Sequence, residues 1–463
     1  MTVSYQPELL FLDGRFESGC ALEVDEGGRI AAVRRTTRVA EGVERRLLPG
    51  RALLPGMVDV HSHSFQRALR GRAESRRRSG PDFWSWRHLM YRCALALTPE
   101  EMYDVARMAF LEMAQAGITA VGEFHYVHRT PQGEAYPEPN LLALQVIRAA
   151  ESVGIRIVLL RCAYARAGFQ LPPDPGQVRF YESDADTFLH HAESLNAKIG
   201  RMPSTVGFGI APHSLRAVPR EYLRDISAWA KQQGLPLHMH VAEQPAEIEA
   251  CRAEYGITPF EFLDSLGLLT EDFTAIHAIH LRPGEIERMA AGKITVGACP
   301  TTERNLGDGI LCADKLLDSG ASIAFGTDSH TQTDAFENAR ELESNLRLEQ
   351  LQRAVLDGRN GEPLPALLFD FATRAGARSL HLDSGVLEPG RPADFFTVDL
   401  ADSSIAGSLP QELLTNMVFS MSPRAMRDVI VAGRPVIENG RHREQEAIVA
   451  AFESVQRRLG TEL

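Results

Sequence analysis

LPLHMHV (235–241), FTAIHAI (273–279), KITVGAC (293–299) and SIAFGTD (322–328) follow one another at intervals long enough to hold a helix. Each is a near-continuous apolar run, the pattern of a parallel strand covered on both faces. Upstream the same grammar recurs in ALLPGMVDV (52–60), ITAVGEF (118–124), IRIVLLRCAY (155–164) and TVGFGIA (205–211). Amphipathic helical stretches lie between several of them, such as PEEMYDVARMAFLEMAQAG (99–117) and NLLALQVIRAAESVG (140–154). Eight strands alternating with helices over about 275 residues predict an α/β fold, a (β/α)8 TIM barrel. A doubly wound open sheet is the alternative, but no strand is followed by a GxGxxG turn.

The two ends of the chain carry a different, β-rich pattern of short runs and turns. It is present in LLFLDGRF, LEVDEGGRIAAV and ERRLLPG, and again in GVLEPGRPADFFTVDL and RDVIVAGRPVIENGR. Neither end is long enough for a core of its own, so the expectation is one small β-sandwich built from both termini. The expected division is 1–51 with 382–442 as the discontinuous sandwich, 52–381 as the catalytic barrel, and 443–463 as a C-terminal amphipathic helix.

Composition narrows the function classes. The 463 residues include 49 Lys+Arg and 61 Asp+Glu, a net charge of −12, which argues against nucleic acid as a partner. Hydrophobic residues at 44% and charged residues at 24% describe a globular chain. No apolar run reaches the ~18 residues of a membrane span, and MTVSYQPELLFLDG does not read as a signal peptide. The six cysteines form no CxxC pair, so neither a disulfide framework nor a thiolate zinc site is indicated. The expectation is a soluble, cytoplasmic protein with no membrane partner.

Function is carried by the histidines. His61 and His63 end the first strand and His125 follows the second. His213 follows the fourth, His238 and His240 lie in the fifth, His277 and His280 close the sixth, and Asp328 ends the eighth. In a barrel all these strand ends meet at one mouth. Taken alone, a strand histidine is most simply a hydrogen-bonded core residue, and an HxH pair means only that two side chains share a face. Jointly, several imidazoles and one carboxylate are the ligand set of a borderline divalent ion such as zinc. Glu243, three residues after His240, is either a solvated loop carboxylate or a proton shuttle beside that ion.

PGMVDVHSH, HMHVAEQ, AIHAIHL, GACPTTERNLGDG and GTDSH, in this order, resemble the amidohydrolase superfamily in its mononuclear deaminase branch. VHSHSFQRALRGRAE, DFWSWRHLMY, EFHYVH and APHSLRAV are similar to the formimidoylglutamate deiminases within it. The resemblance covers almost the whole chain. It implies one zinc-type ion per subunit on His61, His63, His240 and Asp328, with His277 bonded to the attacking water and Glu243 as proton shuttle. It also implies Gln66, Arg87, Tyr126, His213 and Arg216 as substrate contacts, and His238 and His280 as supporting residues. The implied reaction is hydrolytic deamination of N-formimino-L-glutamate to N-formyl-L-glutamate and ammonia in histidine degradation, by a homodimer. Asp328 would accept a proton from the water that His277 orients.

Physical chemistry agrees with the substrate contacts, because a guanidinium offers two parallel donors to a carboxylate. Arg87 lies in the long first connection and Arg216 three residues past His213, so both could reach the mouth. The run Arg76, Arg77 and Arg78 reads as a solvated loop. TVGFGIAPHS lacks the lysine with which binuclear members of the superfamily bridge two metals. Two rival readings stand beside this one: a deaminase of an aminated purine or pyrimidine, and a non-catalytic scaffold of the same fold.

Overall fold

The computed structural model describes residues 2–38, 42–72, 74 and 83–462, and the arginine run at 76–78 falls outside them. The N-terminal segment forms β1 (Val3–Leu12), β2 (Arg15–Ser18), β3 (Ala21–Val24), β4 (Ile30–Arg34) and β5 (Glu44–Pro55). Asp13 and Gly14 join β1 to β2 with φ of 49° and 80°, the two left-handed positions that a tight I′ hairpin requires.

The barrel strands follow: β6 (Met57–Ser62), β7 (Ile118–His125), β8 (Arg156–Ala163), β9 (Val206–Pro212), β10 (Leu237–Val241), β11 (Phe273–His277), β12 (Thr295–Ala298) and β13 (Ser322–Phe325). They pair in parallel in strict sequence order from β6 to β13. The seam between β13 and β6 is bridged at Ser62 and Asp328, where Asp328 N donates to His61 O at 2.8 Å and His63 N to Asp328 O at 3.0 Å. The barrel therefore closes through residues of the expected metal site. Every residue of β6, β7 and β8 is buried, as strands covered on both faces must be.

β14 (Phe395–Asp399), β15 (Met426–Val431) and β16 (Arg434–Ile437) return to the N-terminal strands. The second sheet runs β16-β15-β14-β5-β1-β3-β4, with β2 paired to β1, so both termini supply it. The stretch ALLPGMVDV, read as one strand, is two. β5 ends at Pro55 in the terminal sheet and β6 begins at Met57 in the barrel. Gly56 marks the crossing, where a Cβ would meet Thr119 Oγ1 at 2.2 Å. The last helix, Gln445–Glu462, buries Ile448, Phe452, Val455 and Leu459 along one face and packs on the helix Pro99–Gln115. Among the described residues no helix is long and apolar enough to cross a membrane.

Candidate active site

Strand ends set the positions. His61 is in β6 and His63 directly after it, two residues apart and so on the same face. His240 comes from β10 and Asp328 from the turn after β13, where it adopts a left-handed φ of 49°. That turn is held against β6 by the buried Asp59, whose carboxylate accepts from Thr327 N at 3.2 Å and His61 N at 3.1 Å. Gly326 beside it has no room for a side chain: a Cβ would lie 2.7 Å from His61 Cβ and 3.0 Å from Cys299 Sγ.

The four side chains meet. One ligand atom from each of His61, His63, His240 and Asp328 lies within 4.8 Å of the others, and all four residues are buried. Asp328 Oδ1 is 3.4 Å from His61 Nε2 and 3.3 Å from His63 Nε2, and His61 Nε2 is 3.1 Å from His240 Nε2. His63 Nδ1 donates to Phe124 O and His240 Nδ1 to His213 O, both at 2.9 Å, which leaves each Nε2 with a bare lone pair. Burial keeps the rings neutral, pushing His61 down to about 3 and lowering His63 and His240 as well. Lone pairs of neutral imidazoles aimed at one point beside a carboxylate fit a divalent cation of the zinc type.

Next to this set lies an acid–base group. Glu243 follows β10, and its backbone N–H and that of Ala242 donate to the buried Glu247 carboxylate, each at 3.2 Å. Glu243 Oε1 is 3.7 Å from His277 Nε2, and burial raises the Glu243 carboxyl above its ordinary range. His277 Nδ1 faces Glu303 Oε1 at 3.3 Å, while Cys299 N donates to the same oxygen at 2.8 Å. Burial would depress the His277 imidazole, but Glu243, Glu303 and Asp328 around it raise it to about 10.

The mouth is a cleft lined by His63, Gln66, Arg87, Tyr126, His213, Arg216, His240, Glu243, His277 and Asp328. His61 lies behind them, with its ring centroid 4.6 Å from that of His63 and 4.8 Å from that of His240. Arg87 sits on the helix Phe83–Ala96, only 6% exposed; its Nη2 donates to Tyr164 Oη at 3.0 Å and its guanidinium lies 5.3 Å over Tyr91. Gln66 Nε2 donates to Tyr126 Oη at 2.8 Å, and Gln66 Oε1 and Arg216 Nε are buried without a hydrogen-bond partner among the described residues.

Besides His61, three of the histidines expected at the mouth do not line the cleft. His125 alternates with Phe124, whose ring contacts His61, His63 and His240, so its own ring turns the other way, toward His128. His238 shares a face with His240 but sits one layer deeper, with Nε2 donating to Ser379 O at 2.9 Å. His280 Nε2 donates to Asp308 O at 2.9 Å. Conversely, sequence reasoning missed the lining residues Trp86, Met90, Tyr91, Tyr164, Phe180 and Leu306. It also missed Glu303, whose place in PTTERN reads only as a first-turn acid that caps its helix.

Comparison with known proteins agrees with this architecture. A model of the amidohydrolase family matches residues 52–436. The chain is 37% identical over 434 residues to a formimidoylglutamate deiminase of Pseudomonas aeruginosa, covering 94% of both chains. It is 30% identical over 391 residues to a 5-methylthioadenosine/S-adenosylhomocysteine deaminase of Archaeoglobus fulgidus, covering 83% of this chain and 82% of that one. Among solved structures, an amidohydrolase from Brucella melitensis superposes with a TM-score of 0.89 at 31% identity over 99% of each chain. A zinc-bound adenosine deaminase from Xanthomonas campestris shares the fold, with a TM-score of 0.84 at 23% identity over 99% of this chain and 98% of that one.

Proposed function

Since the chain belongs to the amidohydrolase family, a family of hydrolases, we propose that it hydrolyses the formimino group of N-formimino-L-glutamate, releasing N-formyl-L-glutamate and ammonia. The observation that carries this reading is the convergence of two guanidinium groups, Arg87 and Arg216, on the cleft that also holds Glu243, His277 and Asp328. A dicarboxylate with a cationic amidine end needs those two kinds of group at opposite ends of one pocket. The P. aeruginosa relative's name adds to it.

On this reading His61, His63, His240 and Asp328 would hold one divalent ion, zinc by the chemistry of the donor set, which when bound supplies a Lewis acid able to lower the pKa of water to about 7. Arg87 and Arg216 bind the two carboxylates, with Gln66, Tyr126 and His213 completing the wall. His277 orients the attacking water through Nε2 and Asp328 takes a proton from it. Glu243, 3.7 Å from His277, carries a proton to the departing nitrogen at its Oε1. The water oxygen bonds to the formimino carbon, the bond from that carbon to its terminal nitrogen breaks, and ammonia leaves with the delivered proton. The buried site keeps this proton off bulk water.

A second reading rests on the aromatic lining of Trp86, Tyr91, Tyr126, Tyr164 and Phe180, which could stack an aminated heterocycle. It leaves the paired arginines without a function. Ammonia release measured side by side on N-formimino-L-glutamate, N-formimino-L-aspartate, guanine and adenosine decides between them. Turnover of a nucleobase or nucleoside with none of the formimino acids would reject the first reading.

A further inference from the structure

Asp328 presents its two oxygens to two different groups of ligands. Oδ1 faces His61 and His63 at 3.4 and 3.3 Å, while Oδ2 points to His277 Nε2 at 3.9 Å. On that second side lies Cys299, the residue after β12, fully buried. A ligand atom from each of His277, Cys299 and Asp328 lies within 4.8 Å of the other two. The thiol does not sit in an apolar niche. Its Sγ is 3.0 Å from the point where a side chain on Gly326 would begin, and the same point is 2.7 Å from His61 Cβ, so the bare glycine brings the sulfur against the histidine cluster.

We propose that Cys299, His277 and Asp328 form a second metal position, selective for thiophilic divalent ions, with the Asp328 carboxylate bridging it to the first. Sulfur, nitrogen and oxygen donors suit zinc and cadmium, and carboxylate-bridged pairs of ions sit about 3.5–4 Å apart. Glu243, 3.7 Å from His277 Nε2, stands where a fourth ligand would be recruited. On binding, a sulfur–metal bond replaces the sulfur–hydrogen bond of Cys299 and a nitrogen–metal bond replaces a nitrogen–hydrogen bond of the protonated His277 ring, and both protons leave to solvent. The functional consequence, which rests on the reading of the preceding section, is inhibition, because His277, Asp328 and Glu243 would be held as ligands.

The test titrates protein carrying one equivalent of zinc with cadmium(II). The expected result is a second equivalent bound, release of two protons, a thiolate-to-cadmium ultraviolet band and loss of activity. Cadmium that merely displaced zinc from the histidine site gives no such band, since that site holds no sulfur, and this outcome rejects the proposal. Cys299→Ser should keep the first equivalent and lose both the band and the second equivalent. His277→Gln, with the thiol intact, should also lose the second equivalent and serves if the serine variant does not fold. A band of equal strength in Cys299→Ser, arising from another of the free cysteines, overturns the proposal. Protein that binds the second ion but releases no ammonia from N-formimino-L-glutamate leaves this site standing and rejects the proposed substrate.

Discussion

Two single atoms decide what the histidine cluster can do. Because Nδ1 of His63 and of His240 each donates to a main-chain carbonyl, the opposite nitrogens are fixed as acceptors before any ion arrives. Glu243 is placed in the same manner through its backbone, whose N–H donates to the Glu247 carboxylate at 3.2 Å. Glu243→Gln preserves shape and leaves the four proposed ligands untouched. It should keep its metal, measured by elemental analysis, and lose about 10²–10⁴-fold in kcat, the usual worth of general acid–base help. Full activity in that variant would remove Glu243 from the chemistry. Arg216 contributes differently. Its Nε has no hydrogen-bond partner among the described residues, so Arg216→Ala should raise KM for the dicarboxylate by about 10–150-fold, the worth of one charged hydrogen bond of about 1.5–3 kcal/mol. An unchanged KM with a lowered kcat would mean that Arg216 does not hold the substrate.

At the scale of elements, the cleft depends on segments that never touch the metal site. The helix Phe83–Ala96 carries Arg87 and Tyr91, and Arg179 ties down its far end by donating from Nη1 to Ala94 O and Leu97 O. Two residues before it, Gln177 donates to Tyr91 Oη. The loop after β8 therefore fixes the wall of the pocket. β8 itself is held by a fully buried pair, with Arg161 donating to both oxygens of Glu182 at 2.6 and 2.8 Å and His191 adding a third contact. Burial would raise the Glu182 carboxyl, but the Arg161 charge and these hydrogen bonds outweigh it and hold it well below its ordinary value of 4.5. A carboxyl whose folded pKa is depressed contributes stability at pH above its unfolded value, and that contribution is lost as pH falls through the window beneath it. Urea denaturation at a series of pH values should show the loss beginning below about 4.5. Glu182→Gln should be about 3–5 kcal/mol less stable at pH 7, since it strands a buried guanidinium, and its acid limb should be flatter. A variant with the wild-type acid limb would show that this pair does not govern acid sensitivity.

Across the whole molecule, the two sheets are joined by one more buried ion pair. Arg156 of β8 contacts Asp394, just ahead of β14, at 3.0 Å, and the same carboxylate accepts from Ala432 N at 2.7 Å between β15 and β16. The backbone of Asp394 accepts from Gly56 N at 2.9 Å, at the crossing from β5 to β6. Asp394→Ala should cost about 3–5 kcal/mol and uncouple the unfolding of terminal sheet and barrel. Coincident far- and near-UV transitions with unchanged stability would refute that coupling. The net charge of −12 has no bearing on an anionic substrate at this scale, because salt screens the far field within about 8–10 Å while two arginines act inside the cleft.

What was legible in the chain was what has a period or a local rule. The eight apolar runs and the HxH pair on one strand face are consequences of alternation along a strand, so the barrel and its histidine-rich mouth could be read without coordinates, while the choice of His61, His63, His240 and Asp328 came from the family resemblance. The strand break at Gly56 was not legible, because nothing local distinguishes a straight run from one that changes sheets. His125 was placed beside its neighbours at the mouth, and only the family resemblance set His238 apart as a supporting residue, because strand reading gives no depth within the barrel. The aromatic wall of Tyr91, Tyr164 and Phe180 escaped notice because each ring comes from a different connection with no shared period.

The sequence by itself therefore determined the barrel and the gathering of histidines at its mouth, since periodicity and side-chain type are local properties, and the resemblance to a family singled out four donors among them. Only the tertiary structure decided which nitrogen of His63 and of His240 is bare, which acid holds Glu243, and that the two oxygens of Asp328 face different neighbours. Those are distances between atoms brought together by closure of the barrel at Ser62 and Asp328, and no local rule encodes a distance across 266 residues.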